Sequence, residues 1–145
     1  MVPEFRIIPT KDILVIIPLL NTLNEGRIPE ETLIERTLEM SQQNYECLGI
    51  YDKDVLIGVC GMWFQTRHYA GKSCEIDHVI IDSAYRSQGI GDQMMQFIYA
   101  HASTKGCNWV ELNTYVDNFP SHKFYNNQGF VAKGYHFIKD ISAKN

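Results

Sequence analysis

The stretch from Val79 to Gly91 constrains this chain more than any other. An apolar run, Val79-Ile80-Ile81, passes through the polar turn Asp82-Ser83-Ala84-Tyr85 into Arg86-Ser87-Gln88-Gly89-Ile90-Gly91. A helix then begins near Gly89. Ile90, Met94, Phe97, Ile98 and Ala102 recur at the i, i+4, i+7, i+8 spacing of a face packed on a sheet, and Gly106 stops the helix. A strand feeding such a helix commits the chain to a layered domain of both α and β elements.

The flanking segments agree with that class. Phe5 to Pro9 reads as a first strand. Thr10 is then a candidate N-cap for a helix with Ile13, Ile16, Ile17, Leu20 and Leu23 on one side, kinked at Pro18. Pro29, Glu30 and Glu31 suit the start of a second helix, whose buried side comprises Leu33, Ile34, Thr37, Leu38 and Met40. Cys47 to Tyr51 and Val55 to Phe64 flank a short polar connector and read as a hairpin, with Gly58 and Gly61 marking a bulge or a close approach. Cys74 to Asp82 is the strand that enters the turn. Trp109 to Val116 is the next strand, Pro120 to Gln128 a short helix ending at Gly129, and Phe130 to Ile141 one or two closing strands. No repeat or linker interrupts the order, which predicts one α+β or α/β domain over 1–145 around a mixed sheet.

The turn before Gly89 is suited to an anion. The first four N–H groups of a helix have no acceptor within it, and the aligned peptide dipoles add about half a positive charge at that end. Gly89 and Gly91 leave the backbone open to approach, as a pyrophosphate requires. Two glycines without GxGxxG do not make a dinucleotide fingerprint, and without GK[ST] they do not make a P-loop.

Composition removes several alternatives. Of 145 residues, 13 are basic and 17 acidic, for a net charge of -4, and no run of Lys and Arg forms a track for nucleic acid. The longest apolar run, Ile13 to Leu20, is far short of the roughly twenty residues that cross a bilayer, and the opening residues do not read as an export signal, so a cytoplasmic protein is expected. Cys47, Cys60, Cys74 and Cys107 form no CxxC pair, and the five histidines show no ligand spacing, so no metal site is expected. Three of the cysteines lie in apolar strands and read as buried reduced thiols. No GxSxG elbow supports a serine hydrolase.

Arg86-Ser87-Gln88-Gly89-Ile90-Gly91, with the strand and turn before it, resembles the [QR]xxGx[GA] signature of the GNAT superfamily of acetyl-CoA-dependent N-acetyltransferases. Downstream, Asn118-Phe119-Pro120-Ser121-His122-Lys123-Phe124-Tyr125-Asn126-Asn127-Gln128-Gly129-Phe130 resembles the family's second block, an Asn followed by a helix carrying FYxxxGF. The likeness covers about Leu56 to Lys139. From Cys74 to Ile141 it is nearest to the aminoalkylphosphonate N-acetyltransferases, through EIxxxVI, ELxTxV, SHKFYxxxGF and the closing HFxK.

The resemblance implies a mostly antiparallel mixed sheet of six to seven strands, with splayed central strands and about four flanking helices. It implies acetyl-CoA as co-substrate and a primary amine of a small molecule as acceptor. A protein or peptide acceptor, or a coenzyme A-binding module without catalysis, is the alternative. The backbone of Val79, Ile80 and Ile81 is expected along the pantetheine arm. The amides of Ser87, Gln88, Gly89, Ile90, Gly91 and Asp92 are expected on the pyrophosphate, with Arg86 beside them and Asn118 and Ser121 as further contacts. Tyr125 is the expected general acid toward the leaving thiolate. For the base, strand alternation places Asp77, Val79 and Ile81 on the face of Glu75. The aminoalkylphosphonate-type enzymes have a matching Glu, which favours Glu75 over Asp77 or His78. Arg27, Arg36, Arg67, His68 and Lys72 are the positive charges outside the motif. Members of the superfamily are often homodimers.

Overall fold

The two apolar runs joined through Lys53 and Asp54 form the expected hairpin, with β2 at Tyr45–Asp52 and β3 at Val55–Arg67. In the computed structural model, which describes residues 1–143, this hairpin is the middle of a five-stranded sheet ordered β1-β2-β3-β4-β5. The outer strands are β1 at Glu4–Ile7, β4 at Gly71–Ile81 and β5 at Trp109–Leu112. All neighbours are antiparallel except β4 and β5, which are parallel and joined by the crossover helix α3, Ile90–Thr104.

Successive residues of β2 show how the sheet divides its two faces. Tyr45 and Cys47 belong to a core cluster with Ile13, Ile16, Ile17, Leu20 and Leu33 from the N-terminal helical segments. Glu46, between them, turns to the opposite face and meets His101 and Lys105 of α3. Helix α3 buries Ile90, Met94, Met95, Ile98 and Ala102, so Met95 joins the predicted face while Phe97 stays half-buried. Cys47, Cys60 and Cys74 are buried free thiols, and burial pushes Cys47 and Cys74 up to about 12.

The N-terminal helix departs from its prediction. Thr10–Ile16 winds as a 3-10 helix after Pro9, and the α-helix α1 starts only at Ile17–Leu23. Pro18 has no N–H to return to the preceding turn. It therefore occupies the first turn of α1, where no such donor is needed, instead of kinking a longer helix. Helix α2, Glu30–Ser41, buries Leu33 and Thr37 but leaves Leu38 exposed.

Residues Met1–Leu112 form one compact unit and Asn113–Asn145 a second. In the second, α4 spans Phe119–Asn127. Asn118 caps it, accepting at Oδ1 from the Ser121 N–H at 3.3 Å. Gly129, at φ 93°, ends it while the Phe130 N–H returns to the Tyr125 carbonyl at 2.9 Å. Two predicted strands differ here. β5 stops at Leu112 instead of reaching Val116, and the described residues 130–143 contain no strand, so among the described residues the sheet has five strands against the expected six to seven. Apolar, β-branched and aromatic composition marks a segment that can pair, but a ladder needs an opposing strand, and the described part of this unit holds only a helix.

Candidate active site

The predicted site residues of the first unit lie along one continuous path, from β4 through the turn to the start of α3. At the head of that path β4 is irregular. Across the β3–β4 ladder Met62 faces Ile76 and Cys60 faces Val79, so Gly61 alone opposes both Asp77 and His78. This is a bulge of two residues against one, and it breaks the simple alternation expected for β4. Glu75 pairs with Trp63, the Trp63 Nε1 donates to Asp77 Oδ2 at 2.9 Å, and Ile80 pairs with Val59 in the Tyr45 cluster. Glu75, Asp77, His78 and Ile80 therefore share one face. Val79 and Ile81, opposite Cys60 and Gly58, are on the other, contrary to the prediction that they accompany Glu75. Both glycines of β3 sit at close approaches, as expected. A Cβ on Gly61 would lie 2.3 Å from His78 Nε2, and one on Gly58 2.9 Å from the Ile80 carbonyl oxygen.

Glu75 accepts at Oε1 from Gln65 Nε2 at 3.0 Å. It lines an open cavity of about 670 Å³ with Gln43, Asn44, Trp63, Phe64 and Gln65. That lining combines one carboxylate, three amides and two aromatic rings, a surface on which a cationic amine can dock and lose its proton to a carboxylate. Sequence reasoning missed Gln43, Asn44 and Gln65, because nothing local links the end of α2 to the ends of β3 and β4.

His78, set aside as a base in favour of Glu75, has a different role in the structure. Its Nε2 lies 2.5 Å from the Tyr45 hydroxyl, while its buried Nδ1 has no hydrogen-bond partner among the described residues. Burial, with smaller contributions from Cys47 and Asp77, pushes the Tyr45 phenol well above its ordinary 10. Burial also holds His78 below its ordinary 6.5, opposed in part by Asp77. Both shifts favour an uncharged phenol beside an uncharged imidazole.

Beyond Ile76 the parallel ladder between β4 and β5 ends, its last pair being Ile76 with Leu112. The edge carrying Val79, Ile80 and Ile81 thus has no β5 partner. The turn that follows is held by its own side chains. Asp82 Oδ1 accepts from the Ala84 N–H at 2.9 Å, the Tyr85 hydroxyl donates to Asp52 at 3.1 Å, and Arg86 Nε donates to the Ile81 carbonyl at 3.2 Å. Ser87 and Gly89 take φ values of 62° and 75°, and Gly89, at the N-cap of α3, has no side chain to cap it. A Cβ on Gly89 would meet nothing within 4 Å, so the left-handed backbone, not crowding by the protein, is what calls for glycine there. Arg86, Ser87, Gln88 and Gly89 are exposed, Gly91 is half-buried, and Ile90 anchors the turn in the core. An uncapped, open helix start of this kind fits a diphosphate.

In the second unit Asn118, Ser121 and Tyr125 come together on α4. Asn118 and Ser121 form its N-terminal cap, and Tyr125 stands with ring centroids 5.1 Å from Phe124 and 5.5 Å from Phe130. Of the positive charges outside the motif, three are engaged at home. Arg67 pairs with Glu111 at 2.8 Å, Lys72 donates to the Lys105 carbonyl at 2.8 Å, and Arg27 pairs with Glu25 at 3.4 Å. Among the described residues no helix is long and apolar enough to cross a membrane.

The sequence model of the Acetyltransferase (GNAT) family matches residues 15–130. The aminoalkylphosphonate N-acetyltransferase of Salmonella typhimurium is 26% identical over 87 residues, which are 59% of this chain and 56% of that protein. The chain thus spans little more than half of that relative's length. Glucosamine 6-phosphate N-acetyltransferase 1 of Dictyostelium discoideum is 26% identical over 121 residues, 79% of this chain and 75% of that protein. Among solved structures, AAC(6')-Iy in complex with the bisubstrate analogue CoA-S-monomethyl-acetylneamine superposes with a TM-score of 0.82 at 15% identity, covering 99% of this chain and 100% of that one.

Proposed function

Because the chain belongs to the Acetyltransferase (GNAT) family, we propose that it is a single domain over residues 1–145 that transfers the acetyl group of acetyl-CoA to a primary amine of a small molecule. One observation carries the reading. The β4–β5 ladder stops at Ile76 and Leu112, and the freed edge of β4 runs straight into an uncapped helix start. An extended thiol arm can pair with such an edge while its diphosphate takes the N–H groups of Ser87 to Asp92. The family match crosses both compact units, which supports a single domain. Both curated relatives are named for acetylating small amines, which supports a small acceptor.

Bound acetyl-CoA supplies an activated thioester. The residues of this chain supply the proton handling and the positioning. An alkylamine with a pKa near about 10 is protonated at neutral pH, so its lone pair must first be freed. Glu75 takes that proton. The amine nitrogen then attacks the acyl carbon, the C–N bond forms, the C–S bond breaks, and the sulfur leaves as a thiolate. Tyr125 protonates the thiolate, and the second proton shed by the nitrogen as it becomes an amide restores the phenol, while Glu75 returns the first to solvent. Support for Tyr125 is its place in FYxxxGF, and support for Glu75 is its position in the 670 Å³ cavity.

The test is a thiol-release screen with acetyl-CoA across aminophosphonates, polyamines, aminoglycosides, amino acids and peptides. Turnover with one class of small amine is the expected result. Activity on peptides alone moves the acceptor to protein substrates. Folded protein that binds neither acetyl-CoA nor coenzyme A at millimolar concentration overturns the proposal. Tyr125→Phe should lower kcat about 10²-fold or more with little change in acetyl-CoA affinity.

A further inference from the structure

The bulge at Asp77 and His78 lies between two parts of the proposed site. Glu75 precedes it on the stretch of β4 still paired with β5, and the free edge Val79–Ile81 follows it. The relative setting of base and thioester therefore depends on how firmly this irregular pair of residues is held. A bulge disrupts the local ladder of backbone hydrogen bonds, so side chains must hold it in place.

Three side chains from β2 and β3 do so. Gln65 holds Glu75, Trp63 holds Asp77, and Tyr45 holds His78. Of the three, Tyr45 is the one that is itself buried. Tyr45 is 7% exposed within the core cluster, and the His78 ring lies against Gly61 where any side chain would strike it. We propose that the Tyr45–His78 hydrogen bond is a positioning device for acetyl transfer, pinning the bulge so that Glu75 and the Val79–Ile81 edge keep their mutual setting. The role rests on the acetyltransferase reading.

The same geometry argues against His78 as a proton carrier. A relay needs a partner on each ring nitrogen. Nε2 has Tyr45, and Nδ1 has no partner among the described residues. The ionisable groups around the pair are Cys47 on β2, Cys60 on β3 and Asp77 on β4. Helix α1, packed against β4, contributes no ionisable side chain.

The experiment compares the full chain with Tyr45→Phe, His78→Gln and His78→Ala. Gln can present an amide oxygen near the position of Nε2 but cannot ionise. Tyr45→Phe and His78→Ala should each lower kcat about 10–100-fold, the scale of an ångström-level misplacement, with the KM for acetyl-CoA little changed. His78→Gln, which keeps a hydrogen-bonding group beside Tyr45, should hold kcat within about threefold of the wild type. Nitrogen-15 NMR of the wild type should show a neutral His78 imidazole at pH 7 with Nε2 in a hydrogen bond, a readout independent of turnover and of whether any variant folds. A Tyr45→Phe enzyme with wild-type kcat, a His78→Gln enzyme as slow as His78→Ala, or a protonated ring at pH 7 overturns the proposal. A wild type with the expected ring state but no thiol release on any amine overturns the acetyltransferase reading, and this role with it.

Discussion

Gly61→Ala would place a methyl group where the His78 ring already stands. The added Cβ would lie 2.3 Å from Nε2, 2.7 Å from Cδ2 and 2.9 Å from Cε1. Unstrained contact needs about 3.5 Å, so the ring must retreat by about 1 Å. The Tyr45 hydroxyl is 2.5 Å from Nε2, and a displacement of that size takes the pair to the margin of hydrogen-bonding distance. Overpacking of a core site costs about 1–3 kcal/mol, and the weakened buried hydrogen bond adds about 1 kcal/mol. Gly61 is not among the residues at positive φ, so alanine suits the backbone and recovers about 0.4–1 kcal/mol from the unfolded chain. The net loss is about 1–3.5 kcal/mol. Urea denaturation followed by tryptophan fluorescence should show a lower midpoint at constant m. Removing the ring removes the clash, so Gly61→Ala and His78→Ala should be coupled by about 1.5–3 kcal/mol in a double-mutant cycle. A cost under about 0.5 kcal/mol, or strict additivity, would refute the wedge of His78 against Gly61.

Three further outcomes are expected. Burial raises the Glu46 carboxyl, but hydrogen bonds from Lys105 and His101 more than offset this and leave it below the ordinary 4.5. Its stabilising contribution is therefore complete above 4.5 and is lost as pH falls below that value toward the depressed one. Glu46→Gln should cost about 1–2 kcal/mol at pH 7 and flatten the acid side of a plot of Tm against pH. Ile98→Ala, at a fully buried position of α3, should cost about 3–4 kcal/mol in urea denaturation. Glu75→Gln should lower kcat/KM about 10²–10⁴-fold while calorimetry shows unchanged acetyl-CoA affinity, and an unchanged kcat/KM would remove Glu75 from the role of base.

What could be read from the chain was what neighbouring residues decide among themselves. The 3.6-residue spacing of Ile90, Met94, Ile98 and Ala102 located α3, and the run from Val79 to Gly91 located the strand, turn and uncapped helix start. Gly58 and Gly61 announced close approaches, and Asn118 and Gly129 bounded α4. The choice of partner across strands could not be read that way. Phe130 to Ile141 has the composition of a strand, yet no ladder forms among the described residues, because pairing depends on an edge elsewhere in the fold. The extra residue in β4 exists only relative to Gly61 on β3, and it alone moves Val79 and Ile81 away from the face of Glu75 and brings His78 to Tyr45. Periodicity is a property of one segment, whereas register is a property of two. For that reason the sequence determined the elements and the glycine-containing turn before α3, and the tertiary structure decided which side chains face one another at its head.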